Sequence, residues 1–245
     1  MEEFIARTLA ALRSRHIGGL FAADIPTANR KILELIPPDA LVGFGDSTAA
    51  RQLGVLADLE ARGTKVLNAF VPKDAGIDGE EFRQWRERIV REATLCDCFL
   101  TGTNALTEDG RLVNVDARGN RVAGMFWGHP LAIVVVGKNK IVPTLEEAFA
   151  RIRNVIAPTH FRIRSGELGG RKRKTPCVAT GVCGDCRSPE RGCNITTIIE
   201  GRPAGTDLHV IVVDQDLGLG WDPSWPGERI ARIRAQYKKL VWLPV

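Results

Sequence analysis

The sequence predicts an α/β fold, a mostly parallel sheet flanked by helices, and three observations carry the prediction. Short apolar runs alternate with amphipathic segments from Ala40 to Leu100, the pattern of strands joined by crossover helices. Two loops rich in Gly, Asn and Asp, Gly43–Thr48 and Thr101–Gly110, follow strand-like runs, the position at which parallel sheets gather ligands. The chain has 245 residues, 44% hydrophobic and 26% charged, the balance of a globular protein able to bury a full core. No internal repeat or clean linker divides it. One domain over 1–245 is expected, with N-terminal helices over 1–38 and a basic, cysteine-rich insertion over 159–194.

Taken in order, residues 2–15 place Phe4, Ile5, Leu9 and Leu12 at helical spacing. A second helix over 28–36 is stopped by Pro37-Pro38. Residues 40–44 form a short strand that runs into G-F-G-D-S-T and a helix over 48–62, with Gly63 as its stop. Strand, glycine loop and helix together present backbone amides and a helix N-terminus to an anion, or else make a tight turn with a capped helix and no ligand. The unit repeats: a strand over 65–70, a loop over 74–79, a helix over 79–94 with Asp78 and Glu81 as a capping box, and a strand over 96–100. Residues 111–115 and 120–126 read as a hairpin joined by D-A-R-G-N. A buried strand over 131–136 leads into G-K-N-K, and a helix over 145–156 carries a Thr144/Glu147 capping box, with Pro158 just past its end. Beyond it, 159–191 shows little periodicity. Strands over 195–199 and 208–213, a closing helix over 227–236 and a last strand over 240–243 complete the reading.

Charge and hydropathy narrow the function classes. No run approaches the ~20 apolar residues of a membrane helix. The start, M-E-E-F-I-A-R, lacks the apolar core of a signal peptide, so a cytoplasmic location and no membrane partner are expected. Net charge is +5, part of it in R-K-R-K at 171–174. No aromatic residues interleave with that run, so a solvated loop is expected rather than a nucleic-acid surface.

Chemistry concentrates in two places. From Thr101 to Lys140, Thr103, Asn104, Glu108, Asn114, Asp116, Asn120, Lys138, Asn139 and Lys140 lie between hydrophobic strands, the composition of a small-molecule pocket floor. Glu108 is the candidate general acid, base or acyl nucleophile, while Asp109-Gly110 makes the bend. Lys138 and Lys140 are placed to neutralise a carboxylate or phosphate. The alternative is a polar turn whose amides satisfy backbone groups. The second place is T-P-C-V-A-T-G-V-C-G-D-C-R-S-P-E-R-G-C, where Cys177, Cys183, Cys186 and Cys193 are separated by five, two and six residues. Four thiols in one glycine-rich loop suit zinc or an iron–sulfur cluster, with free or redox-paired thiols as the alternative, and the spacing does not choose between the two metals. Cys96 and Cys98 read as core. No histidine shows metal or triad spacing.

At T-G-T-N-A-L-T-E-D-G-R-L-V-N-V-D-A-R-G-N-R-V and G-K-N-K-I-V the sequence resembles the lactate-utilization (LUD-domain) family, a likeness running from Gly43 through the cysteine loop to D-Q-D-L-G-L at 214–219. The resemblance implies a fold like those of ribose-5-phosphate isomerase, glucosamine-6-phosphate deaminase and the coenzyme A transferases. By position it implies a ligand site lined by Gly43, Gly45, Asp46, Ser47 and Thr48, facing Asn104, Glu108 and Lys138. Members of the family take part in oxidising lactate to pyruvate alongside iron–sulfur subunits. The expected partners are therefore a small anionic metabolite, iron–sulfur partner subunits and other copies of the chain in a homo-oligomer. No flavin or nicotinamide fingerprint is evident, since G-F-G-D-S-T lacks the third glycine of G-x-G-x-x-G. Two alternatives on the same fold are an isomerase, hydrolase or acyl-CoA-transferase-type enzyme with a structural zinc, and a non-catalytic ligand-binding scaffold. W-G-H-P at 127–130 departs from the family pattern by inserting His129.

Overall fold

A computed structural model of the chain describes residues 1–71, 79–168 and 173–243. The predicted loop over 74–79, the Asp78 cap and half of the R-K-R-K run (Arg171 and Lys172) lie largely or wholly outside those residues. Helix α1 (Glu3–Ser14) leads into strand β1 (Gly18–Ala22) and helix α2 (Ile25–Leu35), capped by Asp24, whose carboxylate accepts the Thr27 amide at 2.8 Å. Strand β2 (Val42–Phe44) is followed by α3 (Thr48–Leu53) and α4 (Val55–Ala61), then β3 (Val66–Leu67), α5 (Gly79–Glu92) and β4 (Cys98–Gly102). The middle of the chain holds β5 (Ala105–Thr107), β6 (Leu112–Asp116), α6 (Asn120–Ala123), β7 (Leu131–Gly137) and β8 (Ile141–Val142). A long helix then begins as α7 (Leu145–Arg151) and continues as α8 (Ala157–Arg162). After α9 (Pro176–Thr180) come β9 (Ile195–Ile199), β10 (Asp207–Val213) and α10 (Gly227–Leu240).

Six strands form one parallel sheet in the order β1-β10-β7-β4-β2-β3. Its central strands are buried on both faces, which is why they read as unbroken apolar runs rather than alternating ones. In β7, Ile133 and Val135 join a core with α2, α3 and α4, while Ala132, Val134 and Val136 face α1 and the second sheet. Truncating Ile133, with no exposed surface, to Ala is expected to cost about 2–5 kcal/mol. The second sheet, β8-β5-β6-β9, packs on one face of the first through Leu106, Leu112 and Ile199, and Ala105 and Val113 pack with Ile152 and Val155 of the long helix.

Several expectations give way to the structure. Residues 120–126 are not a strand. The Asp116 carboxylate accepts the amides of Arg118 and Gly119 at 3.0 Å, and Gly119 at φ 95° turns the chain into α6. The hairpin forms one step earlier, between β5 and β6, while the other edge of β6 pairs antiparallel with β9. Strand β9 thus joins the small sheet. The helix expected over 48–62 breaks at Gly54, and the strand over 65–70 shrinks to two residues. Pro158 does not follow a helix end: helical backbone continues to Glu167 through π turns at Ile152–Ile156 and Ile163–Glu167. A π turn shifts the hydrogen-bond ladder, so a residue without an amide proton is accommodated. The proposed insertion therefore begins with a helix. No strand forms over 240–243; Trp242 turns inward instead, its indole donating to the Val71 carbonyl at 3.0 Å and packing edge-on to Phe70. Strand β1, too short and glycine-rich to stand out, was not expected. Cys96 and Cys98 are core, as expected.

Candidate functional site

Beyond the carboxyl ends of β2 and β4 lies a cleft of about 380 Å³. The β2–α3 loop supplies Asp46, Ser47 and Thr48; the end of β4 supplies Gly102, Thr103 and Asn104; the D-Q-D-L-G-L turn supplies Gly218 and Leu219. Ser47 caps α3 by accepting the Ala50 amide at 3.2 Å, and Asp46 pairs with Arg51 at 2.7 Å. Gly43 and Gly45 lie behind this wall rather than in it. A Cβ at Gly43 would stand 2.3 Å from the Ala93 carbonyl, and one at Gly45 would stand 2.8 Å from the Phe99 ring, so both are glycines of close packing.

The floor is tied by a residue the sequence reading passed over. Arg121 projects from α6 and is largely buried, its side chain 13% exposed. Its Nη1 donates to the Gly102 carbonyl at 3.0 Å and Asn114 Oδ1 at 2.7 Å; its Nη2 donates to Asn104 Oδ1 and the Val115 carbonyl, both at 3.0 Å. Its Nε pairs with Asp116 at 3.3 Å. Asn114 and Asn104 lock the same knot, accepting the amides of Asn104 and Val115 respectively. Thr103 Oγ1 lies 3.1 Å from Asn114 Oδ1. Asn114 is therefore a support beneath the cleft, while Asn104, Asp116 and Asn120 reach its lining.

Three successive residues of G-K-N-K go three ways. Lys138 leaves the cleft and pairs with Glu2 at 2.8 Å and Asp214 at 2.9 Å. Asn139 is fully buried and clamps the 214–219 turn, donating to the Gly220 carbonyl and accepting the Leu217 amide, each at 2.8 Å. Lys140 enters the cleft, 8% exposed, and donates to the Thr103 carbonyl at 2.9 Å. Burial, with the Arg121 charge nearby, brings its amine down to about 7. Glu108 is outside the cleft, paired with Arg7 at 2.7 Å on the α1 side. The structure therefore does not bring Glu108 and Lys138 to the residues that line the cavity. His129 is also elsewhere, stacked on Phe99 at 5.5 Å.

The opposite wall is the long helix. Ile152, Ile156, His160 and Arg164, spaced by four, share the face toward the cleft. Arg164 Nη1 donates to His160 Nε2 at 3.2 Å, so that nitrogen is the acceptor and Nδ1 carries the proton toward the Tyr237 hydroxyl, 2.5 Å away. Burial holds His160 well below its usual range and neutral, and pushes the Tyr237 phenol up. Among the described residues, Arg86, Arg118, Arg121, Lys140, Arg164 and Arg173 line the cleft against two carboxylates, Asp46 and Asp116. Arg118 is taken by Glu87 at 2.7 Å and 2.5 Å. Arg164 has no carboxylate partner among the described residues, and the nearest to Arg86 is Glu87 at 3.8 Å. Among the described residues the Nε of each is buried with no hydrogen-bond partner, while both guanidinium groups lie over Trp242, at 4.5 Å for Arg86 and 5.6 Å for Arg164.

A smaller pocket of about 30 Å³ adjoins this wall, lined by Cys177, Cys183, Cys186 and Cys193 together with Pro158 and Phe161. Arg191 fixes the loop, donating to the carbonyls of Cys186 at 2.5 Å and Cys193 at 2.9 Å and pairing with Asp185. The loop thus brings all four thiols to one cavity. Among the described residues no group of three or more His, Cys, Asp or Glu side chains stands where it could hold a metal ion. A tetrathiolate set is chemically fit for zinc or an iron–sulfur cluster, and such sites commonly close as the ion binds. Cys193 lines both cavities.

Among the described residues, no helix is long and apolar enough to cross a membrane. No curated protein matches the sequence. Among solved structures, a DUF162 family protein from Deinococcus radiodurans is similar at 18% identity, with 86% of this chain and 96% of that one covered and a TM-score of 0.44. Ribose 5 phosphate isomerase A from Neisseria gonorrhoeae is similar at 12% identity over 60% of this chain and 68% of that chain, with a TM-score of 0.31. The LUD domain model matches residues 5–213, which takes in the sheet, most of the residues that line the basic cleft, the long helix and the cysteine loop, and the chain belongs to the LUD-domain family.

Proposed function

We propose that this LUD-domain protein is a cytoplasmic component of organic-acid oxidation that binds a small carboxylate or phosphate in the basic cleft. In this reading Cys177, Cys183, Cys186 and Cys193 hold an iron–sulfur centre or zinc beside it, and iron–sulfur subunits are its partners. The observation that carries the ligand class is the pair Arg86 and Arg164. Both side chains are half-buried, each with a buried Nε that has no hydrogen-bond partner among the described residues, where the one ion pair of the two is Arg86 with Glu87 at 3.8 Å. Such groups are costly unless an anion completes them. Asp46, Ser47 and Thr48 border the space such an anion would fill, and Asn104, Asp116, Asn120 and Lys140 complete the polar lining.

The four thiols support the second part, because they line one cavity whose Cys193 also faces the cleft. An iron–sulfur cluster there would supply electron transfer, whereas zinc would brace the loop. The family resemblance to lactate utilization supports the oxidative direction. The isomerase, hydrolase or transferase alternative relied on Glu108, which is engaged with Arg7 away from the lining residues.

Calorimetric titration with phosphate, lactate, pyruvate and a sugar phosphate tests the ligand class. At least one is expected to bind, and Arg164→Met to weaken it by roughly 10- to 150-fold, the loss of a charge-assisted hydrogen bond of about 1.5–3 kcal/mol. Equal binding by wild type and variant would refute the assignment. Iron, sulfide and zinc analysis with a visible spectrum on anaerobically purified protein tests the thiol site. A colourless, metal-free protein whose folding is indifferent to Cys→Ser changes would remove that part.

A further inference from the structure

We propose that Lys140 is a nucleophilic amine that forms a Schiff base with a ketone- or aldehyde-bearing anion held in the basic cleft. The inference rests on the anion-binding reading and names the substrate class within it. Buried lysines are normally retained by a carboxylate partner, because an unpaired ammonium loses its hydration. Lys138, two residues earlier and only half-buried, still has carboxylate partners, with Glu2 and Asp214 both within 3 Å. Lys140 breaks the rule: among the described residues its ammonium pairs with no carboxylate, and its one hydrogen bond is to the Thr103 carbonyl at 2.9 Å.

The fold is arranged to admit this amine. Asn139 clamps the 214–219 turn over the strand end, and Gly218, at φ 67°, lies where a Cβ would stand 2.8 Å from Lys140 Nζ. The side chain thus passes beneath a glycine to reach a cavity large enough for a small metabolite. Arg121 lies near it with its donors committed to the floor, so it contributes charge without neutralising the amine. Burial and that charge leave an appreciable share of the amine unprotonated near neutral pH, the form that attacks a carbonyl.

The step balances without an oxidant or reductant. The Nζ lone pair bonds to the carbonyl carbon and the C=O pair moves to oxygen. Both Nζ protons pass to that oxygen, which leaves as water, and a C=N bond remains. Arg86 and Arg164 would hold the substrate's acidic group meanwhile.

The test is borohydride trapping. The full-length protein is incubated with pyruvate, or separately with ribose 5-phosphate, and reduced with sodium borohydride. Intact-mass and peptide analysis are then run on wild type, Lys140→Arg, Lys140→Met and, as a control, Lys65→Arg. The expected result is one adduct per chain, equal to the probe mass less one oxygen atom. It maps to Lys140, is absent from both Lys140 variants and is kept in Lys65→Arg; whichever probe labels decides between a 2-oxo acid and a sugar phosphate. Melting curves establish that the variants fold. Labelling spread over surface lysines, or undiminished in a folded Lys140 variant, overturns the proposal. Calorimetric binding of a probe with no trapped adduct overturns it while leaving the anion reading intact, and absence of both binding and adduct overturns both.

Discussion

Arg121→Met should be among the most destabilising single changes in the cleft. The substitution keeps much of the volume of the side chain and removes all five polar contacts at once. The Asp116 carboxylate, 9% exposed, loses its ion pair, and the carbonyls of Gly102 and Val115 and the side-chain oxygens of Asn104 and Asn114 lose donors. Breaking a buried ion pair by deleting one partner costs about 3–5 kcal/mol, because the other charge stays buried. For a domain of this size each kcal/mol shifts the melting temperature by about 2–4 °C, so a fall of roughly 6–20 °C is expected. Circular-dichroism melting with urea titration measures it, and Asp116→Asn added to Arg121→Met should recover part of the loss. A melting shift below about 2 °C would show that the knot is not what holds the floor, and would refute the reasoning from unsatisfied buried groups.

Three further outcomes follow from the same geometry. Glu108→Gln should leave anion affinity unchanged in calorimetry, since its carboxylate faces Arg7 and not the cleft. Gly218→Ala should destabilise by about 1–2 kcal/mol through its left-handed backbone, and should diminish borohydride labelling because the new methyl crowds Lys140 Nζ. Stability should rise with pH from about 7 toward 9, where thiols begin to ionise in the unfolded chain. In that window the unfolded chain binds a proton on Lys140 that the folded protein has released. Lys140→Met should flatten the rise in urea titrations across pH. His160 acts in the same sense lower down, with stability lost as pH falls through 6.5, where the unfolded histidine charges and the folded one does not.

The parallel sheet was legible because its strands are buried on both faces and so read as apolar runs between amphipathic helices. The loops at the strand ends were legible for the same reason: once β2 and β4 are placed, Asp46, Ser47, Thr48, Thr103 and Asn104 can only lie at their carboxyl ends. What composition did not reveal was direction. Lys138, Asn139 and Lys140 are consecutive polar residues on a tight turn, and only the turn geometry decides that the first pairs with Asp214, the second clamps Leu217 and the third enters the cleft. Glu108 looked catalytic by proximity in sequence, yet its partner Arg7 comes from the far end of the chain. Arg121 was lost when residues 120–126 were given strand periodicity. His160 and Arg164 were hidden by reading Pro158 as a stop. The spacing of four from Ile152 through Ile156 and His160 to Arg164 was present, and a helix tolerating proline at a π turn would have exposed it.

That helix also explains why the two candidate sites are neighbours. Its face toward the sheet supplies His160 and Arg164 to the basic cleft, while Pro158 lines the thiol pocket, and Ala157 and Phe161 line both cavities. Cys193 closes the same partition from the other side. Cys193 and the Phe161 ring, on which Arg173 lies at 5.1 Å and beside which His160 meets Tyr237, are therefore the side chains through which a movement of the cysteine loop would reach the cleft. Under the proposed function, binding at the cysteines would reach the shape and charge of the cleft through that shared lining. Lining shared through Ala157, Phe161, Gly192 and Cys193 fits the proposal of a single function better than one of two independent sites.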